Sequence, residues 1–447
     1  MKEIPNVEVG ILRAREIKFH LSGKYKLSTD KTNNLYGQCT VQLQDKELVV
    51  KNGGKSFSFD SEITFLPCNL TADSFELENV VIGIDFHWEQ KENQQFRGAL
   101  KLMKAGNEIQ AVNILPVENY LYSVISSEMR GDSSLNLLKA HAIISRSWLL
   151  AQIDAENRFG QAMEKAPGNI NDKKRVMWYA REDHQDFHVC ADDHCQRYQG
   201  ITRTHNPNVI KAVQETAGMI LAYDDKICDA RYSKCCGGIM EKFENCWEPV
   251  EHPYLTNVPD SINADNKADA NVADEYAARE FIHNRPHACC NTTDTKILSQ
   301  VLNDYDLETQ DFFRWSVNYD QPTLAGLIRK KSGIDFGQIK NLTALKRGPS
   351  GRIVEMQIEG TKKTLIIGKE LEIRKWLSES HLYSSAFTIS ISELYDEIPQ
   401  KFVLNGAGWG HGVGLCQIGA AVLGAEGYSH KKILNHYYPG AELTKWY

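Results

Sequence analysis

Residues 115–129 read Leu-Pro-Val-Glu-Asn-Tyr-Leu-Tyr-Ser-Val-Ile-Ser-Ser-Glu-Met, and here the spacing of apolar side chains changes from every second residue to every third or fourth. Pro116 suits the first turn of a helix, because the N–H that proline lacks would have no partner there. The apolar face of this helix consists of Val117, Tyr120, Leu121, Val124 and Ile125. The stretch therefore predicts a short amphipathic helix that begins next to Pro116.

A second helix is predicted directly after the first. The stretch Gly131-Asp-Ser-Ser134 interrupts the first helix and supplies side chains that can cap a new one. The apolar face of the second helix is outlined by Leu135, Leu138, Ala142 and Leu149. Together the two segments predict a helix–loop–helix pair.

Strand-like alternation flanks the helix pair on both sides. Apolar residues alternate from Val7 to about Glu108, and they alternate again from Leu342 onward. The chain then continues into a Gly-rich stretch, which we expect to be a strand, and a last helix around Ala420–His436. These patterns predict an α+β fold: a β-rich core with an inserted helix–loop–helix, followed by a C-terminal Gly-rich strand and a helix.

The sequence divides into four predicted regions. Residues 1–110 form an N-terminal β-rich region, and residues 111–257 contain the helix pair and a polar His- and Cys-rich stretch at about 155–200. Residues 258–341 have the character of an insertion, because about 258–290 are rich in Asp, Asn and Ala and poor in large apolar groups. Residues 342–447 form a C-terminal β-rich region that includes the Gly-rich strand.

The composition of the 447 residues is that of a globular protein, with 42% hydrophobic and 24% charged residues. The net charge of −7 argues against nucleic acid or anionic lipid as a partner. No apolar run reaches the roughly 18 residues that span a bilayer, and the first residues lack the apolar region of a signal peptide. We therefore expect no transmembrane segment, and either a cytoplasmic protein or one whose export signal is missing from this sequence.

The cysteines form a poor framework for disulfides. Their number, 11, is odd, and four of them lie in the vicinal pairs Cys235-Cys236 and Cys289-Cys290. We therefore expect thiol or metal chemistry for at least some of them.

Two charged residues lie on helix faces that should be apolar. Glu128 follows Val124 by four positions and Leu121 by seven. Arg146 follows Ala142 by four. One interpretation is a buried ion pair between Glu128 and Arg146 that holds the two helices together. The other is a general acid/base carboxylate with a cation that positions it or binds substrate.

Residues 405–414 read Asn-Gly-Ala-Gly-Trp-Gly-His-Gly-Val-Gly, so that glycine occupies every second position. In an extended strand, one face would carry no side chains and the other would present Trp409 and His411. The bare face suits either the tight packing of another segment or the floor of a groove for a flat polar ligand such as a glycan, on which Trp409 stacks. It is no phosphate-binding loop, because no Gly-Lys-Ser/Thr follows.

A polar segment concentrates potential metal ligands, namely His184, His188, Cys190, His194 and Cys195. Zinc sites combine thiolate and imidazole ligands in this way. The alternatives are a surface loop without a metal and a disulfide between Cys190 and Cys195.

The segment Ala230-Arg-Tyr-Ser-Lys-Cys-Cys-Gly-Gly-Ile-Met-Glu241 predicts a strand that leads into a Gly-Gly turn, with Tyr232 and Ser233 before the turn. Alone it indicates no particular chemistry. The sequence contains no Gly-x-Ser-x-Gly, His-Glu-x-x-His or dinucleotide-binding glycine motif, which excludes the common serine hydrolases, zinc peptidases and dinucleotide-dependent enzymes.

Taken together, these motifs resemble the stage II sporulation protein D / LytB family of bacterial cell-wall proteins. The resemblance covers nearly the whole chain in the family's order. It rests on residues 115–129, Lys139-Ala140, Arg146, Cys190 to Tyr198, Ala230 to Glu241, Pro253-Tyr-Leu255, Gly408 to Ala420 and His436-Tyr-Tyr-Pro-Gly440. The sequence departs from the family at Cys416 and at Cys235-Cys236, where small hydroxyl residues are usual.

The resemblance implies a peptidoglycan lytic transglycosylase that cleaves the MurNAc–GlcNAc bond and leaves 1,6-anhydro-MurNAc ends. It implies a catalytic acid at Glu128, with Arg146 and His411 beside it in the catalytic set. The residues that it implies for substrate contact are Tyr232, Ser233, Trp409 and Gln417. No cofactor is implied for the chemistry itself.

The resemblance also implies a structural zinc ion on His184, Cys190 and Cys195, with His188 and His194 as alternative imidazole ligands. A catalytic zinc hydrolase at this segment is disfavoured, because two thiolates usually mark a structural site.

A single glutamate suits transglycosylation, because the 6-hydroxyl of the substrate takes the place of a second carboxylate. Glu128 would protonate the leaving oxygen and then accept the proton of the 6-hydroxyl. The alternative is a non-catalytic glycan-binding modulator, as in the amidase-enhancer branch of the family. The expected partners are peptidoglycan glycan strands and, for the alternative, a cell-wall amidase, in the cell envelope or periplasm if an export signal is missing from this sequence.

Overall fold

The computed structural model of the protein describes residues 3–30, 32–83, 89–158, 168–179, 184, 186–192, 194–203, 206–262, 271–301 and 311–447. The chain forms two compact units. The first comprises Met1–Asp154, Glu182–Ile220 and Lys445–Tyr447, and the second comprises Ala155–Arg181 and Leu221–Thr444. Parts of the predicted polar stretches, among them 159–167 and 263–270, lie outside the described residues. The division into four regions stays a prediction.

The strands are β1 (Asn6–Ala14), β2 (Glu16–Leu27), β3 (Leu35–Gln44), β4 (Glu47–Asn52), β5 (Lys55–Phe59), β6 (Glu62–Pro67), β7 (Ser74–Ile82), β8 (Gln90–Phe96), β9 (Ala99–Ala105), β10 (Glu108–Pro116), β11 (Asn169–Ile170), β12 (Lys174–Val176), β13 (Val189–Cys190), β14 (Met219–Tyr223), β15 (Lys226–Ile227), β16 (Tyr232–Ser233), β17 (Arg314–Asp320), β18 (Ile339–Arg347), β19 (Ile353–Gly360), β20 (Thr364–Gly368), β21 (Phe387–Tyr395), β22 (Ile398–Ala407), β23 (Leu415–Cys416) and β24 (Glu442–Lys445).

The helices are α1 (Val117–Glu128), α2 (Leu135–Arg158), α3 (Pro207–Glu215), α4 (Phe243–Cys246), α5 (Glu275–Asn284), α6 (Thr295–Val301), α7 (Gln321–Ser332), α8 (Glu370–Trp376), α9 (Gln417–Ala425) and α10 (His430–Tyr437), with a 3₁₀ turn at Gly200–Arg203. No described helix combines the length and the apolarity that crossing a bilayer requires.

The first unit is built on an eleven-stranded sheet in the order β13-β1-β10-β9-β6-β2-β3-β4-β5, with β7 and β8 attached through β2. Strand β1 pairs antiparallel with β10 and parallel with β13. Because β10 leads directly into α1 and β13 carries Cys190, the sheet brings the first helix and the His/Cys segment to the same edge.

The helix pair forms as predicted. The apolar face of α1, from Val117 to Ile125, is fully buried, and so are Leu138, Ala142 and Leu149 of α2. The Ser134 hydroxyl accepts a hydrogen bond from the backbone N–H of Leu137 at 3.2 Å, which caps α2. Burial of these two apolar stripes supplies the free energy that holds the helices on the sheet.

The second unit contains two larger sheets. One has the order β11-β12-β20-β19-β18, and the other has the order β17-β22-β21. Their apolar faces share a core that includes Trp315, Ile353, Trp376 and Leu404. Strands β16 and β23 pair in parallel, which sets Tyr232 beside Leu415 and Ser233 beside Cys416. The predicted α+β class is therefore confirmed in both units.

Two expectations for the C-terminal region are wrong in detail. The Gly-rich segment is a strand only as far as Ala407, because the glycines at 408, 410, 412 and 414 have φ of +76°, +89°, +75° and +72°. Left-handed φ at every second residue is incompatible with an extended strand. The last helix is two helices, α9 and α10, since Gly427 has φ +85° and Ser429 caps α10.

Candidate functional site

Glu128 is the last residue of α1, and its side chain is half-buried. The backbone N–H of Arg197 donates a hydrogen bond to Glu128 Oε1 at 3.3 Å. Helix α1 ends here because Met129 adopts an extended conformation. The carboxylate therefore stands at the end of a helix whose other buried residues are mostly apolar, and a neighbouring loop orients it.

The predicted ion pair between Arg146 and Glu128 is wrong. The fully buried guanidinium of Arg146 donates two hydrogen bonds of 2.8 Å to Glu118, on the first turn of α1. The remaining bonds of Arg146 go to the carbonyl oxygens of Ala142 and Met219. The bidentate geometry makes this a strong, directional pair. A buried ion pair therefore joins the two helices, as one interpretation of the sequence expected, but its carboxylate is Glu118 and not Glu128.

Glu118 is the residue that the sequence reasoning missed. It also accepts hydrogen bonds from the N–H of Gly218 at 3.1 Å and from the hydroxyl of Tyr447. Burial alone would raise the pKa of Glu118, but the hydrogen bonds and charge of Arg146 outweigh burial and lower this pKa. The signal was present, because Glu118 precedes Leu121 by three positions and Ile125 by seven, on the same apolar face.

The His/Cys segment brings four potential metal ligands together. Ligand atoms of His184, Cys190, His194 and Cys195 all lie within 4.8 Å of one another. The sulfur of Cys195 is 3.4 Å from His184 Nε2 and 3.6 Å from His194 Nδ1. Tetrahedral zinc, with bonds of about 2.3 Å to sulfur and 2.0–2.1 Å to nitrogen, separates such ligands by about 3.6 Å. These residues therefore fit a zinc ion.

The same geometry selects the imidazole ligands. His188 is not part of this cluster, and its Nδ1 accepts a hydrogen bond from the N–H of Glu8 at 3.0 Å. His194 takes the fourth position instead. Hydrogen bonding from Cys195, opposed by burial and aided by the two histidines, lowers the pKa of the Cys190 thiol. A thiolate is the form that binds zinc.

The cluster continues directly into the loop that holds Glu128. Gln196 bonds to the Tyr120 hydroxyl at 3.3 Å, Arg197 contacts Glu128, and the N–H of Gln199 donates to Ser123 Oγ at 3.0 Å. Residues 196–199 thus run along α1, and a metal at Cys190 and Cys195 would fix the start of this loop.

The glycines at 408 and 414 of the second unit leave room for the backbone of the segment 231–236, which packs directly against them. A Cβ on Gly414 would stand 2.0 Å from the carbonyl oxygen of Arg231, and one on Gly408 would stand 2.7 Å from that of Cys235. A Cβ on Gly412 would stand 2.4 Å from the guanidinium carbon of Arg352. Of the two interpretations of the bare glycine face, tight packing of another segment is the one that these contacts support.

His411 is half-buried within this glycine loop. Its Nδ1 accepts a hydrogen bond from the N–H of Val413 at 3.0 Å, and its ring also bonds to the backbone of Tyr232. Burial, together with the charges of Arg231 and Arg352, lowers the pKa of His411 well below its ordinary value. His411 is therefore neutral at physiological pH and ties the glycine loop to β16.

The residues expected to contact substrate lie close together in the second unit. Ser233 lies in β16, Gln417 directly follows β23, and both are buried, at 6% and 2% exposure. Trp409 is half-buried, packs against Phe312 and Tyr383, and pairs its backbone with Cys235. Among these residues, Trp409 and Tyr232 keep some exposure. Glu128 and the zinc ligands belong to the first unit, and these residues belong to the second.

A second buried carboxylate was also missed. Glu241 is fully buried and accepts hydrogen bonds from the Ser350 hydroxyl at 2.6 Å and the Asn245 amide at 2.7 Å. Burial raises the pKa of Glu241, although these hydrogen bonds and the charge of Arg352 oppose the rise. The network ties the segment after the Gly-Gly turn to the loop before β19.

Residues 105–223 match the family model described as Stage II sporulation protein. Residues 105–223 therefore carry a domain of this family. The matched residues include α1, α2 and the whole His/Cys segment. A second model, a domain of unknown function called DUF8618, matches residues 241–414.

Several curated proteins are similar to this chain. The amidase enhancer of Bacillus subtilis (strain 168) is 25% identical over 246 residues, which are 54% of this chain and 33% of the enhancer. Stage II sporulation protein D of Bacillus amyloliquefaciens is 24% identical over 337 residues, 75% of this chain and 76% of that protein. An uncharacterized protein of Brachyspira hyodysenteriae (strain ATCC 49526 / WA1) is 22% identical over 352 residues, 79% of this chain and 73% of that protein.

Proposed function

We propose that this protein is a member of the stage II sporulation protein family and acts in the bacterial cell wall as a peptidoglycan lytic transglycosylase. The observation that carries the proposal is the half-buried carboxylate of Glu128 at the end of α1, within the family-matched residues, with Oε1 held by the N–H of Arg197. A general acid–base catalyst needs a carboxylate that is oriented and partly shielded from water.

The proposed reaction uses Glu128 twice. The protonated carboxyl donates its proton to the glycosidic oxygen as the bond to the MurNAc anomeric carbon breaks. The resulting carboxylate then accepts the proton of the MurNAc 6-hydroxyl, whose oxygen forms the new bond to that carbon. The products are a chain with a free 4-hydroxyl and a 1,6-anhydro-MurNAc end, and no water is consumed.

Arg146 and the zinc ligands support this reaction through structure. Arg146 fixes α1 against α2 through Glu118, so its contribution is to the position of the helix that ends in Glu128. A zinc ion on His184, Cys190, His194 and Cys195 would supply a rigid cross-link and no reacting group, since a full set of protein ligands leaves no open position. The loop 196–199 would convey that rigidity to Glu128.

The substitution Glu128→Gln tests the proposal. The amide is nearly isosteric and keeps an acceptor for the N–H of Arg197, but it cannot donate and recover a proton. Purified peptidoglycan is incubated with the full chain, and the soluble products are analysed by mass spectrometry for 1,6-anhydro-muropeptides. We expect a loss of roughly 10²–10⁴-fold in their rate of release.

The matched control is Glu215→Gln, which makes the same chemical change on α3, where the carboxylate is exposed and pairs with Lys139. This variant should release anhydro-muropeptides at the wild-type rate. Retention of more than about a tenth of the wild-type rate by Glu128→Gln would contradict the role of Glu128.

A second candidate, a non-catalytic glycan-binding modulator of a cell-wall amidase, is favoured by the similarity to the amidase enhancer. Trp409 keeps some exposure, and an indole ring is a side chain on which a sugar can stack. Under this proposal the wild-type chain sediments with peptidoglycan and accelerates an added amidase, yet releases no anhydro-muropeptides. Glu128→Gln would then leave both properties unchanged. Either function has peptidoglycan strands as partner and the cell envelope as location.

A further inference from the structure

Four cysteines of the second unit converge on one buried point. Cys235, Cys236, Cys290 and Cys416 have exposures of 0%, 2%, 1% and 0%. They come from three segments: the turn after β16, the loop after α5, and the end of β23. Asp260, also fully buried, lies beside them. None of these residues belongs to the His/Cys segment of the first unit.

The spacing of the ligand atoms matches that around one metal ion. Ligand atoms of Cys236, Asp260, Cys290 and Cys416 all lie within 4.8 Å of one another. The sulfurs of Cys236 and Cys290 are 3.7 Å apart. Two thiolates on a tetrahedral zinc ion, each with a bond of about 2.3 Å, are separated by about 3.8 Å. Three thiolates and one carboxylate are also a ligand set that suits zinc.

Backbone N–H groups point at two of the three sulfurs. The N–H of Cys236 points to Cys416 Sγ at 3.2 Å, and the N–H of Gly238 points to Cys236 Sγ at 3.4 Å. Cys416 is also the N-cap of α9, a nine-residue helix, so the positive end of the helix dipole lies at this residue.

A buried cation next to the cysteines supplies the independent observation. Arg314 is 9% exposed, and its guanidinium donates only to carbonyl oxygens, those of Gly237, Phe281, Ile282 and Phe313. Within the described part of the chain, no carboxylate lies at ion-pair distance from Arg314. A buried charge without a counter-charge is costly, and an anionic metal–thiolate centre beside Gly237 would provide one.

Asp260 is already oriented for such a centre. Its Oδ2 accepts a hydrogen bond from the N–H of Cys290 at 2.7 Å, and its Oδ1 accepts one from the Tyr437 hydroxyl at 2.7 Å. Carboxylates that bind metals are commonly held by hydrogen bonds of this kind.

We propose that Cys236, Cys290, Cys416 and Asp260 form a second metal site, which binds a single Zn²⁺ ion as a structural centre of the second unit. Binding displaces the protons of three thiols to solvent and leaves no position open for chemistry. The ion cross-links the Gly-Gly turn, the region that the sequence marks as an insertion, and the start of α9. Residues of about 258–290 are poor in large apolar groups, so the metal ion provides the stabilisation that burial of apolar side chains would otherwise supply.

The test uses the full chain, purified from zinc-supplemented cells without chelator, and measures zinc per chain by elemental analysis. The second site adds one ion to the content of the His184 cluster. Cys290→Ser should therefore lower the zinc content by one ion per chain, the ion of the second site. A variant with Cys190→Ser and Cys195→Ser should independently lose the ion of the His184 cluster. Cys228→Ala is the matched control, because Cys228 is a fully buried free cysteine of the same unit outside this cluster.

A second measurement keeps the test independent of folding yield. In the Cys190→Ser/Cys195→Ser chain reconstituted with Co²⁺, the second site should give the near-ultraviolet charge-transfer absorption of a cobalt–thiolate centre, with an intensity that corresponds to three sulfurs. Unchanged zinc content in Cys290→Ser would overturn the proposal. So would a Cys236–Cys290 disulfide in the mass map of the zinc-grown protein, or iron and sulfide with broad visible absorption.

Discussion

Replacement of Arg146 by methionine should destabilise the first unit strongly. The guanidinium is fully buried and makes a bidentate pair with Glu118, so its removal leaves a buried carboxylate that keeps only Gly218 and Tyr447 as hydrogen-bond donors. Loss of one partner of such a pair costs about 3–5 kcal/mol. In a unit of roughly 200 residues, each kcal/mol lowers the melting temperature by about 2–4 °C. The expected decrease is therefore about 6–20 °C.

The pH dependence of the free energy of unfolding should reverse in this variant. In the wild type the pKa of Glu118 is lowered, so its contribution is present above the unfolded-state pKa near 4.5 and is lost as the pH falls through the folded-state value. Without Arg146, burial raises the pKa of Glu118. The penalty in Arg146→Met is then present at neutral pH and is relieved as the pH falls.

Thermal unfolding followed by circular dichroism at pH 7.5 and pH 5 measures both effects. The double variant Arg146→Met/Glu118→Leu removes both charges and should recover most of the lost stability, because an apolar pair of similar volume is often equivalent to a buried ion pair. A melting temperature of Arg146→Met within about 2 °C of wild type at pH 7.5, or a double variant no more stable than the single one, would refute the role of the pair.

Three further outcomes follow from the structure. The Cys195→Ser variant should lose the zinc of the His184 cluster and should cleave glycan more slowly, because the loop 196–199 is no longer fixed. The His188→Gln variant should keep the zinc. Elemental analysis and an activity assay measure both effects, and equal zinc in the two variants would contradict the ligand set. Gly412→Ala should lower the melting temperature well beyond the decrease caused by Gly427→Ala. Both glycines have left-handed φ, but only at Gly412 would a Cβ lie 2.4 Å from another residue, at the Arg352 guanidinium. Equal decreases in the two variants would refute this clash. The ring-carbon NMR shifts of His411 should not titrate between pH 8 and 5.5, because its lowered pKa keeps the neutral form in that range, and a midpoint near 6.5 would contradict its buried environment.

Local periodicity was sufficient for the helix pair and for the strand-rich stretches on either side of it, because each apolar stripe has to be buried whatever lies opposite it. It was not sufficient for the partner of Arg146. Glu118 and Glu128 both lie on the stripe of α1, and only the packing of α2 selects between them. Sequence spacing places charges on a face but does not reveal at which turn two helices cross.

The glycine loop and the second cysteine cluster were harder to predict from the sequence, for a different reason. Alternating glycines satisfy the period of a strand, and only their positive φ shows that the backbone turns at every second residue. Two of the cysteines that converge, Cys236 and Cys416, are 180 positions apart. Such contacts depend on tertiary structure, and no local pattern encodes them.

The hydrogen bond from Tyr447 to Glu118 joins residues that are 329 positions apart. A ribosome that adds about 5–20 residues per second needs roughly 16–66 s to travel from one to the other. The first unit therefore begins to emerge before the second and receives its final segment, 445–447, after the second unit has been made. During synthesis, Glu118 can therefore accept this hydrogen bond only after residues 221–444 of the second unit have been made.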